Sequence, residues 1–312
     1  MRKRDGPRPF TMAGHLTIRA LNEQQLSNLM TTEQSDEGNR RSMTQAENRA
    51  DIGVIGGSGF YELLSGAEQV TVETPYGNPS DTISVGTIGG RHVAFLPRHG
   101  RHHQYAPHTI NYRANLWALR SLGVRRILAP CAVGSLRRDL GPGTLVIPDQ
   151  LVDRTSGRVQ TFYDEGAVHV SFADPYCGHG RTAVLKAAAE AGSEAHDGGT
   201  MVVVEGPRFS TRAESQWFAA AGWTLVNMTG HPEAVLAREL GLCYTSIALV
   251  TDLDAGIDAH DSVSQEDVFK VFAENTERLR GVILEAVKLL PKERECPCAH
   301  VLDGLQLPID LP

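Results

Sequence analysis

The residues able to do chemistry lie in five short segments, each beside a glycine or an apolar stretch. Arg98-His99-Gly100-Arg101-His102-His103 follows an apolar run that ends at Pro97. A guanidinium offers forked N–H donors that match phosphate or carboxylate oxygens. Two arginines among histidines therefore read as an oxyanion site. A metal reading would use His99, His102, His103 and His108, but no carboxylate stands among them and no helical i, i+4 spacing is present. A solvated basic loop is the plainer alternative. Gly56-Gly57-Ser58-Gly59 follows a short apolar run. Successive glycine N–H groups can cradle an anion, and Ser58 adds a hydroxyl. The segment lacks the Gly-Lys-Ser/Thr of a P-loop, and Glu62 replaces the third glycine of a dinucleotide fingerprint. Phe60 fills the last position of a nucleophile elbow. Alone, the loop also reads as a tight turn.

Three more segments follow. In Glu205-Gly206-Pro207-Arg208-Phe209-Ser210 a buried carboxylate could bond a sugar hydroxyl or water. The same residues suit a turn before a helix capped by Ser210 or Thr211. Asn227-Met228-Thr229-Gly230-His231-Pro232-Glu233 joins a strand to a helix start, where anions are favoured. Met228 could pack on a flat ring or sugar, and Glu233 could simply complement the helix dipole. Thr251-Asp252-Leu253-Asp254 ends a strand. With a period of two, its carboxylates share a face and could bind a metal or a basic heterocycle, or cap a turn.

The elements that would position these segments alternate. Apolar runs at 52–55, 91–96, 127–133, 144–152, 201–204, 225–228 and 244–251 read as strands. Helical spacing appears over 109–122, 182–191, 212–221, 232–240 and 264–290. Gly192, Gly222 and Gly241 act as stop signals and Pro232 as a first-turn residue. This order predicts an α/β fold with a mixed, largely parallel twisted sheet flanked by helices. One domain over 50–290 is expected, after a disordered extension at 1–49 that is polar and poor in strand formers. A loosely ordered, proline-punctuated tail is expected over 291–312.

Acidic residues exceed basic ones by 37 to 30, giving a net charge of −7 that argues against a general nucleic-acid binder. No run of 18 apolar residues predicts a membrane span. No apolar core follows the basic start, so a secretory signal is not expected. The five cysteines do not form a disulfide framework by count or spacing, so a cytoplasmic location is expected. The Cys296-Pro297-Cys298 pair could bridge or bind metal, but free thiols on a mobile tail are the favoured reading.

Together the segments resemble the trimeric purine nucleoside phosphorylases, and within them the branch that acts on S-methyl-5'-thioadenosine. The resemblance spans about 51–290. It is carried by Ile55 to Gly59, Thr74-Pro75-Tyr76-Gly77, Pro79-Ser80-Asp81, Arg98 to His102, Asn111-Tyr112-Arg113-Ala114-Asn115, Gly134-Ser135-Leu136, Glu205 to Ser210, Asn227-Met228-Thr229 and Thr251 to Asp254. It implies a single-domain nucleoside phosphorylase fold, a homotrimer, and phosphorolysis of a purine nucleoside with inorganic phosphate as co-substrate. It implies no metal and no organic cofactor.

By resemblance, phosphate is held by Ser58, Arg98, His99, Cys131, Ala132 and Thr229. Met228 packs under ribose and base. Asp252 is the catalytic acid at purine N7, Asp254 faces the 6-amino group with Leu253 between them, and Ser210 and Glu205 lie near the same pocket. An ionised carboxylate only accepts hydrogen bonds, so the pair favours a 6-aminopurine, hence methylthioadenosine. Methylthioinosine or 6-oxopurine nucleosides are the alternative. A hydrolytic nucleosidase or a non-catalytic purine-binding protein is less favoured. Three positions depart from the family pattern: Cys131 stands for a threonine, Gly230-His231 replaces a more apolar pair, and Gln265 stands near an aliphatic position that faces the methylthio group.

Overall fold

Apolar β-branched runs fill the centre of the molecule because both faces of a parallel sheet are covered by helices. The computed structural model describes residues 49–57, 64, 66–258 and 262–312. Most of the expected 1–49 extension, and Ser58, lie outside them. Among the described residues, eleven strands form one mixed sheet. In chain order they are β1 (Ile52–Gly56), β2 (Glu68–Val70), β3 (Ile83–Ile88), β4 (Arg91–Pro97), β5 (Arg126–Ser135), β6 (Leu145–Ile147), β7 (Gln150–Arg154), β8 (Ala195–Asp197), β9 (Thr200–Val204), β10 (Leu225–Asn227) and β11 (Cys243–Leu253). The helices are α1 (Tyr112–Ser121), α2 (Gly178–Glu190), α3 (Arg212–Ala220), α4 (Gly230–Glu239) and α5 (Gln265–Leu289).

The sheet forks at β5. Its first residues pair in parallel with β1, from Arg126 to Leu128. Its last pair antiparallel with β10, at Gly134 and Ser135. Along its other edge β5 pairs with β11 throughout. Between Leu128 and Gly134 one edge of β5 therefore has no strand partner among the described residues, and that gap becomes the floor of the cleft described below.

One apolar layer joins α1 and α4 to the sheet through Leu116, Trp117, Leu119, Leu236 and Ala237. The opposite layer joins α2 and α5 through Val184, Ala187, Leu279, Val282 and Ile283. The long α5 follows its apolar stripe. Ser264 caps it, accepting from Asp267 N at 3.1 Å. Thr211 and Glu214 form a reciprocal capping box that starts α3.

Differences from the sequence reading are local. The expected strand at 144–152 divides into β6 and β7 around Pro148-Asp149, where proline cannot donate to a ladder. The α2 helix starts four residues early, at Gly178. Strands β2, β3 and β8 are short or half-exposed and lack a continuous apolar run. The stretch after Leu290, expected to be loosely ordered, packs instead. Cys296 and Cys298 are buried, and Leu307, Ile309 and Leu311 rest on the layer that holds α1 and α4.

Candidate active site

The C-terminal ends of β1, β4, β5, β10 and β11 surround one open cleft of about 200 Å³. Strand ends of an α/β sheet are where ligands are expected. The cleft has an anion-donor end, a carboxylate end and an apolar wall.

At the donor end, Arg98 follows β4 and is 2% exposed. Its Nε and Nη2 donate to both carboxylate oxygens of Glu233, at 2.7 and 2.9 Å. Nη2 also donates to Ile55 O and Nη1 to Pro130 O. Four of its five N–H bonds thus have partners among the described residues, leaving one Nη1–H. Glu233, read from sequence as a helix-dipole residue, is fully buried and also accepts from Tyr244 Oη at 2.7 Å. The carboxylate and its hydrogen bonds hold Arg98 firmly protonated against the cost of burial.

His99 lines the cleft beside it. Its Nδ1 lies 2.8 Å from Tyr105 O. A carbonyl only accepts, so the ring proton sits on Nδ1 and Nε2 keeps its lone pair. Burial, aided by the Arg98 charge, holds His99 down at about 4. The ring stacks on His103, with centroids 4.4 Å apart. Arg101, the second arginine of the expected anion pair, turns away onto Asp81 at 2.7 Å.

Asn227 organises the opposite lip. Its Oδ1 accepts from Thr229 N at 2.8 Å and Gly230 N at 2.6 Å, while Nδ2 donates to Ala132 O at 3.2 Å. The N–H groups of Thr229, just before α4, and of Gly230, its first residue, are therefore taken by Asn227, whereas the sequence had implied a helix start open to an anion. Thr229 still lines the cleft, its hydroxyl donating to Asn227 Oδ1 at 3.4 Å. Ala132 lies in the unpaired stretch of β5. N–H and C=O of one extended residue point the same way, so its N–H shares the cleft side with the carbonyl that Asn227 binds. Cys131 is buried beside it, its Sγ 3.6 Å from Ser246 Oγ. That weak contact replaces the hydroxyl expected there.

At the other end, the bulge between Val250 and Asp252 turns both Asp252 and Asp254 into the cleft. Asp252 accepts from Thr251 Oγ1 at 2.8 Å. Burial raises its carboxyl to about 6; the Thr251 hydrogen bond opposes this and the nearby Asp254 adds to it. Asp254 is 3% exposed and accepts from Ser215 Oγ. Burial raises it too, against that hydrogen bond. Gly134 lies beneath the pair: a Cβ there would sit 3.0 Å from Asp252 Oδ1 and 3.3 Å from Asp254 Cβ. Ser210 lines this region beside Asp254, and its hydroxyl, like that of Ser215, favours the ionised Asp254 carboxylate.

Two expected substrate contacts are placed elsewhere. Leu253 points to the opposite face and packs with Leu136, Val202, Phe218 and Val226, as strand alternation requires. Glu205 faces away from the cleft and binds Ser156 N at 2.7 Å and Arg158 at 3.3 Å. Arg158 in turn donates to the carbonyls of Met228, His231 and Glu205, at 2.9, 2.6 and 2.6 Å. It sits in a loop with no periodic signal, so the sequence reading missed it. Asn227 was more accessible to that reading: asparagine two residues before Thr229 at a helix start favours a side-chain-to-backbone turn.

Met228 lines the cleft and rests on Gly206, whose φ is +65° and whose added Cβ would meet Met228 Sδ at 2.6 Å. Val268, Phe269 and Phe272 of α5 form the apolar wall. Gln265 is exposed at the start of α5 and does not line the cleft. Among the described residues, the ligand atoms that converge as a metal site would require belong to four cysteines elsewhere, not to this histidine loop.

An anion-donor end, a carboxylate pair and an apolar wall in one α/β cleft agree with what known proteins show. The chain is 60% identical to the purine nucleoside phosphorylase of Streptomyces coelicolor over 275 residues, covering 85% of this chain and 98% of that protein. It is 60% identical to the S-methyl-5'-thioadenosine phosphorylase of Mycolicibacterium smegmatis, covering 84% and 99%. Among solved structures, a methylthioadenosine phosphorylase from an Antarctic soil metagenomic library superposes with a TM-score of 0.78 at 43% identity, covering 82% of this chain and 92% of the other. The sequence model of the phosphorylase superfamily matches residues 51–288, and the chain belongs to that superfamily.

Proposed function

We propose that the protein cleaves S-methyl-5'-thioadenosine with inorganic phosphate, giving adenine and 5-methylthioribose 1-phosphate. The observation that carries this reading is the placement of Asp252 and Asp254 at one end of a cleft whose other end offers anion donors. The N-glycosidic bond breaks, its electron pair leaves with the base, and a phosphate oxygen bonds to the anomeric carbon. Protonated Asp252 donates to purine N7, which its raised pKa favours. Ionised Asp254 accepts from the 6-amino group. Phosphate is already anionic, so it needs placement more than activation. The Thr229 hydroxyl, the Ala132 N–H and the remaining Arg98 N–H supply it, and the His99 Nε2 lone pair accepts from a P–OH. Ser58 belongs to the same phosphate group by resemblance.

Met228 lies under the ribose and base, and Val268, Phe269 and Phe272 shield the methylthio group. Glu205 and Arg158 shape the Met228 loop from behind. The enzyme works as a cytoplasmic homotrimer without a cofactor in the reaction. A second reading, a purine nucleoside phosphorylase not confined to methylthioadenosine, is supported by the name of the Streptomyces relative.

Incubating methylthioadenosine with and without phosphate, with ³¹P NMR of the products, tests the reaction class. The expected result is adenine release that requires phosphate and yields a sugar 1-phosphate signal. Equal release without phosphate would make the protein a nucleosidase.

A further inference from the structure

We propose that Cys177, Cys243, Cys296 and Cys298 form a structural site for one thiophilic divalent cation, zinc by preference. The four sulfurs lie within 4.8 Å of one another, and all four residues are buried, at 2 to 4% exposure. They pack as a group of their own. Cys243 Sγ and Cys296 Sγ are 3.3 Å apart, and all four thiols are free. A tetrahedral zinc with Zn–S bonds of about 2.3 Å has sulfur–sulfur edges of about 3.8 Å. The cluster already brackets that value, so ligation needs only small side-chain shifts. Tetrahedral all-sulfur surroundings select zinc, or iron, over hard cations.

The ligands come from three parts of the chain, which the sequence spacing conceals. Cys177 precedes α2 and makes no side-chain cap there, leaving its sulfur available. Cys243 opens β11. Cys296 and Cys298 flank Pro297 in a 3-10 turn, closer together than the usual two-residue spacer, and the turn brings both sulfurs to one side. A second observation points the same way. Arg294 lies against the cluster and donates to Cys298 O at 3.3 Å and Gly241 O at 2.5 Å, yet its Nε is buried without a partner among the described residues. A cation with four thiolates carries a net charge of −2, which a neighbouring guanidinium balances and to which a spare N–H can donate. The site lies apart from the cleft, none of its cysteines lining it. Its effect is mechanical: it pins the segment after Leu290 to the starts of α2 and β11.

The full chain, produced in zinc-supplemented medium and purified in a mild reductant, is assayed for bound metal by plasma mass spectrometry and X-ray absorption. The expected result is about one zinc or iron per chain with four sulfur neighbours near 2.3 Å. Cys296→Ser with Cys298→Ser should lose that metal. If the double variant does not fold, the absorption spectrum of the unaltered protein still decides. Metal far below one per chain overturns the proposal, whether alkylation then finds all five cysteines as free thiols or the intact mass shows disulfides. So does a metal held by nitrogen and oxygen.

Discussion

Asp252 asks the most of a single residue, because the same burial that suits it to catalysis costs stability. An acid whose pKa is raised to about 6 binds its proton more tightly folded than unfolded. Its contribution to stability is therefore fully present below about pH 4 and is lost as pH rises toward 6. At neutral pH the charged form costs roughly 1–3 kcal/mol. Asp252→Asn should raise the melting temperature at pH 7.5 while cutting kcat on methylthioadenosine about 10²- to 10⁴-fold. An active variant with unchanged melting would contradict both roles. Glu233 behaves oppositely. Glu233→Ala strands the Arg98 charge in the core and should destabilise by about 3–5 kcal/mol, read from urea unfolding, with Glu233→Gln milder. The sequence marked Arg98 as an anion donor but gave Glu233 only as a helix-dipole residue, and their pairing was hidden because 135 positions separate them.

The fork of β5 is the element-scale cause of the site. A strand that changes partners leaves a few backbone groups free of the ladder, and Pro130 to Val133 line the cleft for that reason. Glycines keep the adjoining walls thin. Gly134→Ala should displace the two carboxylates and lower kcat at least tenfold with little loss of fold, since Gly134 itself lies at ordinary strand geometry. Gly206→Ala should act through Met228 and raise KM; an unchanged KM in steady-state assays would show that Met228 does not touch substrate. The strand and helix order was legible from periodicity, because long buried strands and amphipathic helices carry strong patterns. The fork was not, since β5 reads as one continuous apolar run. Neither were β2 and β8, three residues each.

At the scale of the whole molecule, the cleft lies beside exposed apolar surface. Phe269 on its wall is 45% exposed, which fits a neighbouring subunit packing over it in the proposed trimer. Sedimentation should find a trimer, and dilution below its dissociation range should raise KM for methylthioadenosine more than it lowers kcat. Residues of all five motif segments line the cleft, with Ser58 outside the described residues, while Leu253, Glu205 and Arg101 turn elsewhere through strand alternation, Arg158 and Asp81. The cysteine cluster was invisible because its members lie up to 121 positions apart and only the fold joins them. The most direct test of the account is the ratio of kcat/KM for methylthioadenosine to that for methylthioinosine, measured under identical phosphate. A carboxylate at Asp254 accepts from a 6-amino group and meets a 6-oxo group without a donor, so the ratio should be at least about 10². A ratio near or below one would mean that the Asp252–Asp254 pair does not read the base in the way proposed.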